Sequence, residues 1–344
     1  MFLATHARVL EWLRTGVLDG IRADHPDGLR DPQQYFSRLR SSASDALIYG
    51  EKILQPSETL RANWPIDGTT GYDFLNMCNG LLVHPEGLAE IDKIYREFTG
   101  RKDDYDTLAC SKKHDVEHDA LGSDVNRLAQ IFVQICENNR DRRDYTRAEI
   151  RRAIREVAAA FNIYRTYVVP QRGEITEEDE AAIEHAVSIA KTRRTDIEPG
   201  LFDFMSDVLR LRARCELENE FLLRFQQFTA PVMAKGVEDT AFYCFNRMIA
   251  LNEVGGSPAR GGVTLEEFHT FCEKAQRLYP QTMNTLSTHD TKRADDVRAR
   301  LAVLTESPAT WRAALRRWSR MNREFTIQEF PDRNTEYFLY QTLI

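Results

Sequence analysis

No stretch of the sequence approaches the roughly 20 consecutive apolar residues that a membrane-spanning helix needs. Nothing near its start has the basic, apolar, then small-residue order of a secretory leader. Both absences point to a cytoplasmic protein with no membrane partner. Paired cysteines are missing too: positions 78, 110, 136, 215, 244 and 272 stand apart, without a CxxC. That excludes a disulfide framework and fits reduced thiols at small core positions. Positive charge is not in surplus either. The formal net charge is −7, so no basic face for nucleic acid is expected. Arginines concentrate only between Arg140 and Arg155, where Asp141, Asp144, Glu149 and Glu156 interleave with them, the pattern of a salt-bridged helix surface. Low-complexity tracts and solenoid-length repeats are absent.

What is present is a globular composition, 42% hydrophobic over 344 residues, enough for one large core or two ordinary ones. Val9, Leu10 and Leu13 form a helical apolar stripe at once, as if the chain started inside a domain. From residue 1 to about 110, helical and strand-like patterns alternate, the rhythm of βα units. Val17–Asp24 and Ala46–Ile53 are the strand candidates there, and an acid lies at or within the end of each: Asp24 and Glu51. From about 120 to 228 apolar residues recur at helical spacing: Leu128, Ile131, Phe132 and Ile135, then Ile150, Ile154 and Val157, then Ile183, Ala186, Val187 and Ala190. Thr146 with Glu149 predicts a capping box, Thr176 with Asp179 a weaker one, and Pro199 suits the first turn of another helix. After residue 228 the βα texture returns, with Phe228–Met233 and Gln281–Thr288 as strands, the second leading into His289 and Asp290.

In a βα barrel, side chains at the C-terminal strand ends surround one site, so distant acids can converge. Asp24, Glu51 and Asp290 fit that placement; taken singly, each acid could equally cap a following helix. Arg22 lies two residues before Asp24, on the same strand face, and its cation favours an ionised carboxylate, as nucleophilic attack on an anomeric carbon requires. A second carboxyl near that charge tends to keep its proton and can donate it to a leaving oxygen; Glu51 is the candidate.

These residues carry a resemblance. Gly20-Ile21-Arg22-Ala23-Asp24-His25 resembles the nucleophile strand of the α-amylase superfamily, Ser287-Thr288-His289-Asp290 its last conserved motif, and Glu51 stands where that superfamily has its acid. Trp64-Pro65-Ile66-Asp67-Gly68-Thr69-Thr70-Gly71-Tyr72-Asp73-Phe74 is similar to a signature of maltooligosyl trehalose synthases. So are the segments Ala234–Tyr243 and Leu251-Asn252-Glu253-Val254-Gly255-Gly256. The resemblance implies a partial TIM (β/α)8 barrel with a large all-helical insertion. Residues 1–118 would be a barrel segment with nucleophile and acid/base, 119–228 the insertion, and 229–344 the returning barrel segment with the third carboxylate. The superfamily's earlier barrel strands have no counterpart here, so roughly half of a family member is expected, with open edges that invite self-association.

By the same resemblance the reaction turns the reducing-end α-1,4 bond of a maltooligosaccharide into an α,α-1,1 bond. Asp24 would be nucleophile, Glu51 acid and base, and Asp290 with His289 would hold sugar hydroxyls. Tyr72, Asp73, Lys235, Glu238, Asp239, Lys292 and Arg293 are candidates to close around the freed glucose, with Arg22 supporting Asp24. No metal or organic cofactor is needed, because one acetal is exchanged for another. An α-glucan hydrolase, a 4-α-glucanotransferase or a non-catalytic glucan-binding fragment are the alternatives. Finally, His114-Asp115-Val116-Glu117-His118 matches the H-x-x-E-H zinc pattern, but so polar a stretch reads better as a solvated helix face.

Overall fold

The computed structural model describes residues 2–56, 58–328 and 330–344. The chain divides into two compact units. One comprises Met1–Leu47, Leu60–Ile66 and Ala109–Val237; the other comprises Ile48–Thr59, Asp67–Leu108 and Glu238–Ile344. The fold is helix-rich. Among the described residues the strands are three and short: β1 (Gly20–Ala23), β2 (Leu47–Gly50) and β3 (Gly68–Thr69).

In the first unit the helical periodicity becomes a helical core. Helix Gly122–Glu137 buries Leu128, Phe132 and Ile135, helix Arg147–Ala160 buries Ile150, Ile154 and Val157, and helix Glu177–Arg193 buries Ile183, Ala186 and Ala190. The start signals act as expected. Thr146 and Glu149 form the reciprocal capping box, Glu149 N–H donating to Thr146 Oγ1 at 3.2 Å and Thr146 N–H to Glu149 Oε2 at 2.9 Å. Thr176 Oγ1 accepts the Asp179 N–H at 3.2 Å, and Pro199 opens helix Pro199–Leu209. Two arginines of the basic run find partners outside their own helix: Arg152 pairs with Asp196 at 3.0 Å, and Arg155 lies 3.6 Å from Glu117.

The expected strand Phe228–Met233 is instead the last part of helix Glu216–Met233. Phe221, Phe225, Phe228 and Val232 are all buried at helical spacing, so the apolar run continues a face begun upstream. A short apolar run fits a buried strand or a buried helix equally well, and only its flanks decide.

In the second unit β2 pairs in parallel with β3, Tyr49 opposite Gly68 and Gly50 opposite Thr69. Asp67 locks the register, since its N–H donates to Ile48 O at 2.8 Å and its Oδ2 accepts the Ile48 N–H at 2.7 Å. One apolar cluster gathers Ile91, Tyr95, Phe245, Trp311 and Tyr337, another Val83, Leu88, Met248, Ile249 and Leu301. Gln281–Thr288 is not a strand. Its hydroxyls bond locally instead: Ser287 N–H donates to Thr285 Oγ1 at 3.2 Å, and Asp290 N–H to Thr288 Oγ1 at 3.1 Å. Such side-chain bonds compete with ladder pairing. Among the described residues no helix is long and apolar enough to cross a membrane.

Phe132 tests the first core. It is fully buried, with ring centroids 4.8 Å from Phe221 and 5.5 Å from Phe204. Phe132→Ala is expected to cost about 3–5 kcal/mol, read as a lower urea midpoint, with little change for truncation of Leu3, which is 71% exposed.

Candidate active site

In the first unit β1 ends at Ala23, and the next residue is Asp24. Arg22 Nη1 donates to Asp24 Oδ1 at 2.9 Å, with the Asp24 side chain 71% exposed. The i, i+2 spacing thus sets a cation beside an open carboxylate. His25 follows in the left-handed region, φ 44°, which turns the chain sharply after the acid. Lys235 is exposed on the π-helix Ala234–Ala241, a rare element that is frequent at functional sites.

In the second unit Glu51 directly follows β2 and is half-buried. After β3, Gly71 adopts φ 88° as the N-cap of helix Tyr72–Leu81. A Cβ there would lie 2.9 Å from Met283 O, so both its backbone and its neighbour require glycine. Thr69 Oγ1 donates to Asp73 Oδ1 at 2.8 Å and accepts the Gly71 N–H at 3.2 Å. Burial nevertheless pushes the Asp73 carboxyl above the usual range. Tyr72, 2% exposed, accepts from Thr288 Oγ1 at 3.0 Å through its hydroxyl. This ties the Trp64–Phe74 signature to the turn that carries His289 and Asp290.

His289 and Asp290 are exposed, but the residues after them are pinned from below. Glu253, with no exposed surface, accepts the Lys292 N–H at 2.8 Å and the Arg293 N–H at 3.3 Å, and its Oε2 pairs with Arg298 Nη1 at 3.2 Å. Lys292 Nζ reaches Asp239 Oδ1 at 3.3 Å. Burial opposes the charge on Lys292, yet Asp290 and Asp239 hold its ammonium above the usual range. Arg293 turns elsewhere, donating to Ile249 O at 3.2 Å with its guanidinium over the Phe338 ring.

Glu238 completes the group. Burial, followed by the charges of Asp290, Asp239 and Glu253, pushes its carboxyl up to about 8, against the pull of Lys292. The structure therefore gathers Glu238, Asp239, Asp290 and Lys292 in one electrostatic neighbourhood of the second unit. There a carboxyl that keeps its proton can donate a hydrogen bond beside further acid oxygens and a cation, a suitable lining for hydroxyl groups. Sequence reasoning missed the roles of Glu253 and Arg298. Neither apolar period nor capping pattern marks them; the one signal was Glu253's place before Val254-Gly255-Gly256, where Gly255 has φ 72°.

The helix holding His114 and Glu117 is not a solvated face. Glu117 is 1% exposed and His114 partly buried, while Asp115 and His118 stand in solvent, His118 bonded to Asp119 at 2.7 Å. Burying two polar groups here is sustained by ion pairing: His114 Nδ1 lies 3.0 Å from Glu117 and Nε2 lies 3.3 Å from Glu156.

No family model matches the chain. A Mycobacterium tuberculosis protein named "Putative maltooligosyl trehalose synthase" is 35% identical over the whole chain, which spans 41% of that relative's length. The solved structure of maltooligosyltrehalose synthase from Arthrobacter ramosus is 32% identical with a TM-score of 0.84, covering 99% of this chain and 41% of that one. A hypothetical maltooligosyl trehalose synthase from Sulfolobus tokodaii gives 29% and 0.75 over the same shares. The chain thus shares sequence and fold, end to end, with a segment of these proteins.

The raised Glu238 carboxyl has a measurable consequence. Between the ordinary 4.5 and about 8 the folded state keeps a proton that the unfolded chain releases, so stability falls as pH rises through that window. Urea midpoints of the wild-type chain are expected to drop from pH 5 to 8.5, and Glu238→Gln to flatten the drop; equal slopes would contradict the assignment.

Proposed function

We propose that this chain carries the catalytic carboxylates of a maltooligosyl trehalose synthase, a (1→4)-α-D-glucan 1-α-D-glucosylmutase. The observation that carries the reading is the end-to-end match at 35% identity, with Asp24 and Asp290 each within a segment resembling the superfamily's motifs and Glu51 at the position where that superfamily has its acid. In this reading residues 1–118 and 229–344 are segments of an α-amylase-type barrel, and 119–228 are its helical insertion. The six cysteines are free thiols, in keeping with a reducing cytoplasm.

The reaction needs two displacements at one carbon. Asp24 attacks C1 of the penultimate glucosyl unit; the C1–O4 bond breaks, and Glu51 gives its proton to O4 of the departing reducing-end glucose. The glycosyl-enzyme is then attacked by the C1 hydroxyl of that same glucose, whose proton returns to Glu51. Two inversions preserve the α configuration, and Asp24 is regenerated. Asp290 and His289 bind sugar hydroxyls, contacts that strengthen as the ring flattens toward an oxocarbenium ion.

What distinguishes isomerisation from hydrolysis is that glucose, not water, reaches the intermediate, so the freed sugar must be held and water kept out. Tyr72, Asp73, Lys235, Glu238, Asp239, Lys292 and Arg293 are assigned to that closure, and Arg22 to holding Asp24 ionised. The substrate is a neutral maltooligosaccharide, consistent with the net charge of −7.

The test is incubation with maltopentaose. A non-reducing product of unchanged mass is expected, with Glu51→Gln slower by about 10²–10⁴-fold. Shorter reducing sugars would indicate a hydrolase, longer and shorter ones together a glucanotransferase, and no turnover by wild type a non-catalytic segment.

A further inference from the structure

Outside the proposed sugar site, the first unit holds a cluster that the trehalose-forming chemistry does not use. Cys110 and His114 stand one turn apart on helix Tyr105–Asp119, and Glu156 faces them from helix Arg147–Ala160. One donor atom from each of the three, Cys110 Sγ, a ring nitrogen of His114 and a Glu156 carboxylate oxygen, lies within 4.8 Å of the other two. His114 Nε2 is 3.3 Å from Glu156 Oε2, while Nδ1 is 3.0 Å from Glu117 Oε2. A metal-ligating histidine characteristically gives its second nitrogen to a carboxylate in this way, which fixes the ring and raises its basicity.

We propose that Cys110, His114 and Glu156 bind one zinc ion, with Glu117 orienting the histidine. Thiolate, imidazole and carboxylate together select zinc over magnesium or calcium, which take oxygen ligands. Zinc bond lengths of about 2.0–2.3 Å put tetrahedral ligands roughly 3.3–3.8 Å apart, so an ångström of closure suffices. An independent observation points the same way: Glu117 has no exposed side-chain surface, and its Oε1 has no hydrogen-bond partner among the described residues. His114 and Arg155 both face its Oε2, which leaves Oε1 as a buried acceptor still to be satisfied.

Two arginines belong to the same cluster. Arg155 Nε lies 3.6 Å from Glu117, and Arg193 Nη1 donates to Cys110 Sγ at 2.8 Å while standing 3.8 Å from Glu156. Arg193 is 37% exposed, so its guanidinium can leave the sulfur for solvent when the ion enters. Loading exchanges the thiol proton and the second imidazole proton for the ion, two protons leaving per zinc. With three protein ligands the ion keeps an open fourth position, and it would join two helices of the first unit. The H-x-x-E-H pairing is not the one used, because His118 is 74% exposed and bonded to Asp119; Cys110, one turn earlier, replaces it.

The experiment uses the purified 344-residue chain, stripped with chelator and titrated with cobalt(II), then zinc. One cobalt per chain is expected, with a thiolate-to-cobalt charge-transfer band that zinc abolishes. Cys110→Ser should remove the band and weaken zinc at least tenfold, and Glu117→Gln should weaken it about 10–100-fold; His118→Ala should change neither. Circular dichroism confirms that each variant is folded, with the near-isosteric Cys110→Ser deciding if Glu117→Gln is not. No stoichiometric binding, a cobalt spectrum without the thiolate band, unchanged affinity in Cys110→Ser, or loss in His118→Ala would each overturn the assignment.

Discussion

A carboxylate with no exposed surface holds the acidic end of the second unit in place. Glu253 accepts two successive backbone N–H groups, those of Lys292 and Arg293, and its charge is balanced by Arg298, whose side chain is 4% exposed. Removing one partner of such a pair leaves a buried charge uncompensated, at a cost of roughly 3–5 kcal/mol. Everything displayed just before that anchor depends on it. Asp290 sits two residues upstream, in a turn whose bonds are made by Thr288 and Thr291 hydroxyls rather than by a sheet.

That arrangement explains how acids can gather without collapsing the fold. Glu238, Asp239, Asp290 and Glu253 repel one another, and the structure answers with Lys292 beside Asp239, Arg298 on Glu253, and a proton retained on Glu238. Asp239 and Glu253 are thus matched by cations, while Glu238 holds its proton up to about 8. A lining that mixes a protonated carboxyl donor, acid oxygens as acceptors and an ammonium suits hydroxyl groups, each of which both donates and accepts.

The legible parts of the sequence were those governed by local rules. Helix periodicity located Leu128–Ile135 and Ile150–Val157, caps located Thr146 and Thr176, and the two-residue strand period set Arg22 beside Asp24. What failed was decided by context. Phe228–Met233 joined a helix because Phe221 and Phe225 had already begun the face, and Gln281–Thr288 gave up pairing to its own hydroxyls. The Glu253–Arg298 pair spans 45 residues, beyond any local pattern. The stretch 114–118 looked solvated because most of its residues are polar; the partners of His114 and Glu117, Glu156 and Arg155, come from another helix.

The central claim is that Asp24 forms a covalent bond to the sugar. Incubating Glu51→Gln with an α-glucosyl fluoride tests it, because fluoride departs without acid assistance while the second displacement is starved of its base. Mass spectrometry should find one glycosyl unit added, on the peptide that contains Asp24. A sugar attached to any other acid, or a variant that binds the fluoride and acquires no adduct, would contradict the account.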